Sequence, residues 1–176
     1  DFIGKTQALG ECRIVEGAHW DLEIGRIAEL SLSVPDSPLL VFDNVQGYPR
    51  GYRIAANPFT SLRRVALALG LPLDLKGLAL VRAWKEKLST IKPVPPVEVQ
   101  TGPVKENVLV GDDVDVLKFP TPKWHEFDGG RYIGTGCMVI QKDPDSGWVN
   151  MGTYRSQIVD RNTVTFHSVP GHHGAI

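Results

Sequence analysis

The sequence predicts an α+β protein, a small N-terminal α/β domain followed by a run of β-hairpins. Three observations carry that expectation. Over residues 1–92 the apolar spacing switches between strand-like runs and helix-like intervals. Pro93, Pro95, Pro96 and Pro103 then interrupt regular structure, which suits an extended linker over 93–104. Over 105–176 short apolar–polar alternations recur between turn-forming clusters. With 42% hydrophobic residues among 176, the chain can bury a sizeable core.

Residues 11–17 read as the first strand. From Trp20 to Leu32, apolar residues at Leu22, Ile24, Ile27, Ala28 and Leu30 fall near helical spacing, with Asp21 as N-cap. Leu39-Leu40-Val41-Phe42 is a continuous apolar run between Pro38 and Asp43, the pattern of a strand covered on both faces. Residues 44–52 are turn-rich, and 53–56 read as a further strand. Thr60 or Ser61 caps a helix running through Val65 and Leu67 to a stop at Gly70. Another helix covers roughly 75–88, with Leu78, Val81, Arg82 and Lys85 at helical intervals. Beyond the prolines, strands are expected at 108–110, 114–119, 132–141, 148–158 and 163–168, with turns at 142–147 and 160–162.

The charge balance excludes some classes of function. Nineteen Lys and Arg against 20 Asp and Glu give a net charge of −1, which suits no polyanion, so no nucleic-acid partner is expected. No apolar run is long enough to span a bilayer, and no basic-then-apolar leader opens the sequence. Cys12 and Cys137 lie far apart and form no CxxC pair, so two free thiols in a reducing cytoplasm are expected rather than a disulfide or zinc site. The chain starts without Met and stops just after a cluster of glycine and polar residues. It therefore reads as a fragment.

Three segments could carry chemistry. In Asn150-Met151-Gly152-Thr153-Tyr154-Arg155, strand alternation sends Asn150, Gly152 and Tyr154 to one face and Met151, Thr153 and Arg155 to the other. A glycine inside a strand often marks a bulge or a close approach, and a bulge near Gly152 would turn Asn150 and Arg155 towards one site. Spacing alone accounts for the segment equally well as a solvated strand with one Arg on its polar face. In Pro170-Gly171-His172-His173-Gly174, adjacent histidines on an extended segment point apart, so one at most serves a given metal. An Asn oxygen with a His nitrogen is a mixed ligand set suited to a borderline cation such as manganese. An exposed loop explains the same pattern. In Pro120–Gly136, prolines and glycines surround Trp124, His125, Asp128, Arg131 and Tyr132, giving a structured loop or a plain connection. His125-Glu126-Phe127 lacks the second His of a helical zinc motif, and Gly134-Thr135-Gly136 opens no βαβ unit.

Taken in order, these segments resemble the UbiD family of decarboxylases. The likeness runs from near Pro120 through Asp128-Gly129-Gly130-Arg131-Tyr132 and Asn150–Arg155 to Pro170-Gly171-His172-His173, and more loosely covers Asp43-Asn44-Val45 and Gly47-Tyr48. It implies an α/β domain at 1–92 and, at 105–176, the start of a split β-barrel of the flavin-reductase kind that binds prenylated FMN. It also implies cofactor contacts from Asn150, Met151, Gly152, Thr153, Tyr154, Arg155, His172 and His173. Asn150 and His173 would be ligands of Mn2+ at the cofactor phosphate, with K+ as a further cation. Arg155 would be the catalytic arginine beside the reacting carboxylate, and Val169 a substrate-facing apolar residue. The implied reaction is removal of CO2, reversible in principle, from an aromatic, heteroaromatic or α,β-unsaturated acid. Residues 152–155 are most similar to members acting on aromatic and heteroaromatic acids. A flavin prenyltransferase would supply the cofactor, and the full-length enzyme would be a homo-oligomer. The family's third metal ligand and proton-donating glutamates fall beyond the GHH segment, so the 176 residues alone are expected to lack turnover. The alternatives are a non-catalytic flavin-binding module and a structural or assembly subunit of a multi-chain carboxylase.

Overall fold

The computed structural model describes residues 1–175, in a mixed α/β arrangement with two three-stranded sheets. The N-terminal half carries α1 (Phe2–Ala8), β1 (Cys12–Glu16), α2 (Glu23–Ser31), β2 (Leu39–Asp43), β3 (Ile54–Ala56), α3 (Leu62–Leu69) and α4 (Gly77–Thr90). The C-terminal part carries β4 (Arg131–Lys142), β5 (Val149–Ile158) and β6 (Val164–Phe166). The chain divides into two units. One holds Asp1–Val15, Ala28–Val41 and Ala55–Asp113, and the other Glu16–Ile27, Phe42–Ile54 and the residues from Val114 on.

The first sheet has the order β1-β2-β3. β2 is its central strand, and Leu39, Leu40, Val41 and Phe42 are all buried, as the unbroken apolar run requires. In the first unit, α3 begins at Ser61, whose hydroxyl accepts from the Arg64 amide at 3.2 Å, and ends at Gly70 with φ +61°. That left-handed closure is cheap only without a Cβ. Lys87 of α4 donates to the Leu69 carbonyl at 2.6 Å, setting a cation on the carbonyl end of α3. Within the same unit Arg64 is fully buried against Glu11 at 3.0 Å, and Glu11 also accepts from the Ser61 hydroxyl at 2.8 Å.

The second sheet is an antiparallel meander, β4-β5-β6. Asp143 closes its first turn, accepting from the Ser146 hydroxyl at 2.5 Å and the Asp145 amide at 3.1 Å. The Ser146 hydroxyl, then the Asp145 amide, holds the Asp143 carboxyl below its ordinary range. Asp160 does the same in the second turn, held down first by the Asn162 amide. At the start of β4 the Arg131 guanidinium donates to the Thr121 carbonyl at 2.7 Å and to the Tyr48 hydroxyl, and lies 4.2 Å over the Trp20 ring. Such a planar cation satisfies several acceptors while stacking on an aromatic face.

Several expectations are corrected. No strand forms at 108–110 or 114–119. Gly111–Asp113 and Val116–Lys118 are 3-10 turns, the latter capped by Asp115 accepting from the Leu117 amide at 2.9 Å. Local capping outweighs alternation where no partner strand lies alongside among the described residues. α2 starts at Glu23, because Asp21 is engaged in a bridge with Lys123 and Leu22 adopts φ +66°. On α4 the inward residue is Leu80, while Leu78 and Val81 are exposed. α1 carries no apolar period, yet Asp1 caps it through the Gly4 amide at 2.6 Å. There is no bulge at Gly152, which pairs regularly with Val139. The register shifts lie instead in β4, between Tyr132 and Gly134 and between Gly134 and Cys137.

Candidate functional site

β5 carries two different faces. On one, Asn150 is buried and its amide nitrogen donates to Gln141 Oε1 and to the Tyr154 hydroxyl, both at 3.1 Å. Gln141 is the cross-strand partner of Asn150 on β4, and its own amide donates to the Gly174 carbonyl at 3.2 Å. The chain after β6 is thereby tied to the start of β5. The tie is tightened by glycine: a Cβ on Gly174 would stand 2.3 Å from the Tyr154 hydroxyl, and one on Gly152 would stand 2.6 Å from the Tyr154 ring. The close approach that Gly152 permits is thus made by Tyr154.

His173 opens a 3-10 turn over His173–Ala175, so the two histidines do not lie on an extended segment. The His173 ring is exposed and meets Trp148 edge-on, with centroids 5.0 Å apart. Asn150 and the His173 turn therefore share one end of the β4-β5 hairpin, bridged by Gln141. With both amide hydrogens of Asn150 spent, its carbonyl oxygen is left as an acceptor. An Asn oxygen and an imidazole nitrogen fit part of the coordination sphere of a borderline cation. Among the described residues no cluster of three His, Cys, Asp or Glu supplies the rest. His172 and Val169 are exposed in the preceding turn, where the His172 amide donates to the Val169 carbonyl at 3.1 Å. Ile176, which ends the segment, lies outside the described residues.

On the opposite face Met151, Thr153 and Arg155 are exposed. The structure does not bring Arg155 to the face of Asn150. The guanidinium instead lies 5.8 Å over the Tyr132 ring, beside a cavity of about 290 Å3 lined by Tyr132, Arg155, Gln157, Thr165, Phe166 and His167. Among the described residues no carboxylate pairs with it. A permanent cation beside aromatic walls can hold the carboxylate of a small planar acid. The sequence reading names Arg155 and Tyr132 but misses Gln141, Gln157 and His167. Their signal is the cross-strand register, which spacing along a single strand does not carry. Cys12 and Cys137 are free thiols, and burial pushes the Cys12 thiol up from its ordinary value.

Comparison with known proteins settles the family. The 3-octaprenyl-4-hydroxybenzoate carboxy-lyase N-terminal domain matches residues 3–84, and the Rift-related domain of the same carboxy-lyase matches residues 96–176. The chain belongs to the UbiD family. Among UbiD relatives, the pyrrole-2-carboxylic acid decarboxylase of Pseudomonas aeruginosa is 34% identical over 161 residues, covering 87% of this chain and 32% of the relative. The vanillic acid decarboxylase of Sedimentibacter hydroxybenzoicus, in its closed form, matches with TM-score 0.85 and 26% identity over 97% of this chain and 37% of that one. The UbiD-class enzyme HmfF of Pelotomaculum thermopropionicum, in complex with FMN, gives TM-score 0.75 and 25% identity over 97% and 36%. The chain spans about a third of the length of the relatives it matches. No helix among the described residues is long and apolar enough to cross a membrane.

Proposed function

We propose that this chain forms the N-terminal part of a decarboxylase that removes CO2 from an aromatic, heteroaromatic or α,β-unsaturated acid with prenylated FMN, a reaction reversible in principle. In this reading residues 1–92 are the α/β domain, 93–104 the linker, and 105–176 the start of a split β-barrel that receives the cofactor. The observation that most supports it is the hydrogen-bonded bridge Asn150–Gln141–Gly174, which joins an Asn acceptor and a His-bearing turn at one hairpin end. Asn150 and His173 would hold Mn2+, with K+ as a further cation, and the cofactor would be contacted by residues 150–155 and His172. Bound there, the prenylated flavin would supply an electron sink for the carbon that loses CO2. Arg155 binds and orients the substrate carboxylate, its planar fork matching two carboxylate oxygens. Val169 offers an apolar contact to the ring. Protonation of the carbon falls to carboxylic acids supplied from beyond these residues. A cytoplasmic homo-oligomer supplied by a flavin prenyltransferase completes the proposal.

The test is CO2 release by the full-length enzyme, coexpressed with a flavin prenyltransferase, across furan, pyrrole, indole and benzoic acids. Turnover of at least one class is expected, with an Arg155→Ala loss of about 100-fold or more, the scale of removing a preorganised charge contact. Absence of both bound flavin and CO2 release would overturn it.

A further inference from the structure

The side-chain amide of Asn150 has a fixed polarity, and the group that fixes it is a main-chain carbonyl. Gln141 Nε2 donates to the Gly174 carbonyl at 3.2 Å. Asn150 Nδ2 donates to Gln141 Oε1 and to the Tyr154 hydroxyl, both at 3.1 Å. A side-chain amide can turn over and exchange its oxygen and nitrogen unless its partners forbid it. Tyr154 forbids nothing, because a hydroxyl both donates and accepts. The Gly174 carbonyl only accepts. Turned over, Gln141 would set its oxygen against that carbonyl, lone pair facing lone pair. The Gly174 carbonyl thus holds Gln141 Oε1 towards Asn150, and Oε1 holds Asn150 Nδ2 towards itself, leaving Oδ1 at the other end. Asn150 is only 7% exposed, so water does not replace these partners without cost. Gly174 also lies in the 3-10 turn that His173 opens. One side chain therefore orients the Asn oxygen and ties down the turn that carries the imidazole.

We propose that Gln141 is a positioning residue that presents Asn150 Oδ1, and not its NH2 group, to a divalent cation. An amide oxygen offers lone pairs to such a cation, whereas an NH2 group offers hydrogens. Gln141 touches no metal in this role and acts through Asn150, its cross-strand partner, as groups behind metal ligands commonly do. The role rests on the function proposed above, in which Asn150 is a ligand of Mn2+. It adds how the correct atom of that ligand comes to face the ion.

The test titrates the full-length protein with Mn2+ in the presence of FMN and reads free Mn2+ by electron paramagnetic resonance, so no turnover is needed. Gln141→Met removes both the donor and the acceptor and should raise the Mn2+ Kd by about 10- to 100-fold, the scale for a group that orients a metal ligand. Gln141→Asn, one methylene shorter, cannot span both partners. It should show the same loss, and it carries the test if the methionine variant does not fold. The decisive comparison repeats the change in an Asn150→Asp background. A carboxylate presents an oxygen whichever way it turns. There the Gln141 change should raise the Kd by about threefold at most, within the scale of one neutral hydrogen bond. A Gln141 that merely supports the hairpin would cost the same in both backgrounds, and that result would overturn the proposal. Unaltered Mn2+ affinity in Asn150→Ala would overturn the ligand assignment, and the role of Gln141 with it. A loss in Asn150→Ala with none in either Gln141 variant would leave the ligand standing and remove the positioning role alone.

Discussion

Arg64 has no exposed surface, yet its guanidinium is satisfied on every side. It donates to Glu11 and to the Pro58 carbonyl, both at 3.0 Å, and also to the Ser37 carbonyl and the Thr60 hydroxyl. A buried pair of this kind is costly to break from one side, because the surviving charge is left without water or partner. Arg64→Ala is expected to lower stability by about 3–5 kcal/mol, read from the midpoint of urea unfolding. Loss below 1 kcal/mol would mean that Glu11 finds solvent instead. Nothing in the sequence around Arg64 reveals this role, since on α3 it reads as one more basic residue of a helix surface. The partners come from 53 positions upstream and from loop carbonyls. Asn150, by contrast, is recognisable from its motif. Its use of Gln141 depends on the pairing of β4 with β5, which spacing along a single strand does not reveal.

At the scale of elements, the hairpin unit depends on how α2 meets the segment before β4. A Cβ on Gly25 would stand 1.8 Å from the Trp124 carbonyl oxygen, inside any allowed contact. The Lys123 carbonyl accepts from the Leu22 amide at 3.0 Å and fixes that approach, while Trp124 donates from its indole to the Tyr132 carbonyl at 3.3 Å. Gly25→Ala should therefore destabilise by about 1–3 kcal/mol, the cost of overpacking a fitted contact, with Gly136→Ala as an open-space control. Equal effects from the two would show that the contact is not limiting. Strands β2, β4 and β5 were legible because their apolar or alternating runs are long and bounded by turn chemistry. The strands expected at 108–110 and 114–119 failed for a physical reason. Alternation needs a neighbour to pair with, and Asp115 caps a turn there instead.

For the whole molecule, the family and the order of its two matched regions follow from both sequence and fold. What composition and periodicity could not supply is which faces of β5 are used together. Asn150 and Arg155 lie on opposite faces of one strand, so the metal holding and carboxylate holding proposed for them would be separate tasks, joined by the cofactor proposed to contact residues 150–155. The account's central claim is therefore tested most directly by the flavin content of the purified full-length protein after coexpression with a flavin prenyltransferase in manganese-containing medium. Absorbance and mass are expected to show stoichiometric prenylated FMN in wild type and its loss in Asn150→Ala. A flavin-free wild type, or full retention by Asn150→Ala and His173→Ala alike, would contradict it.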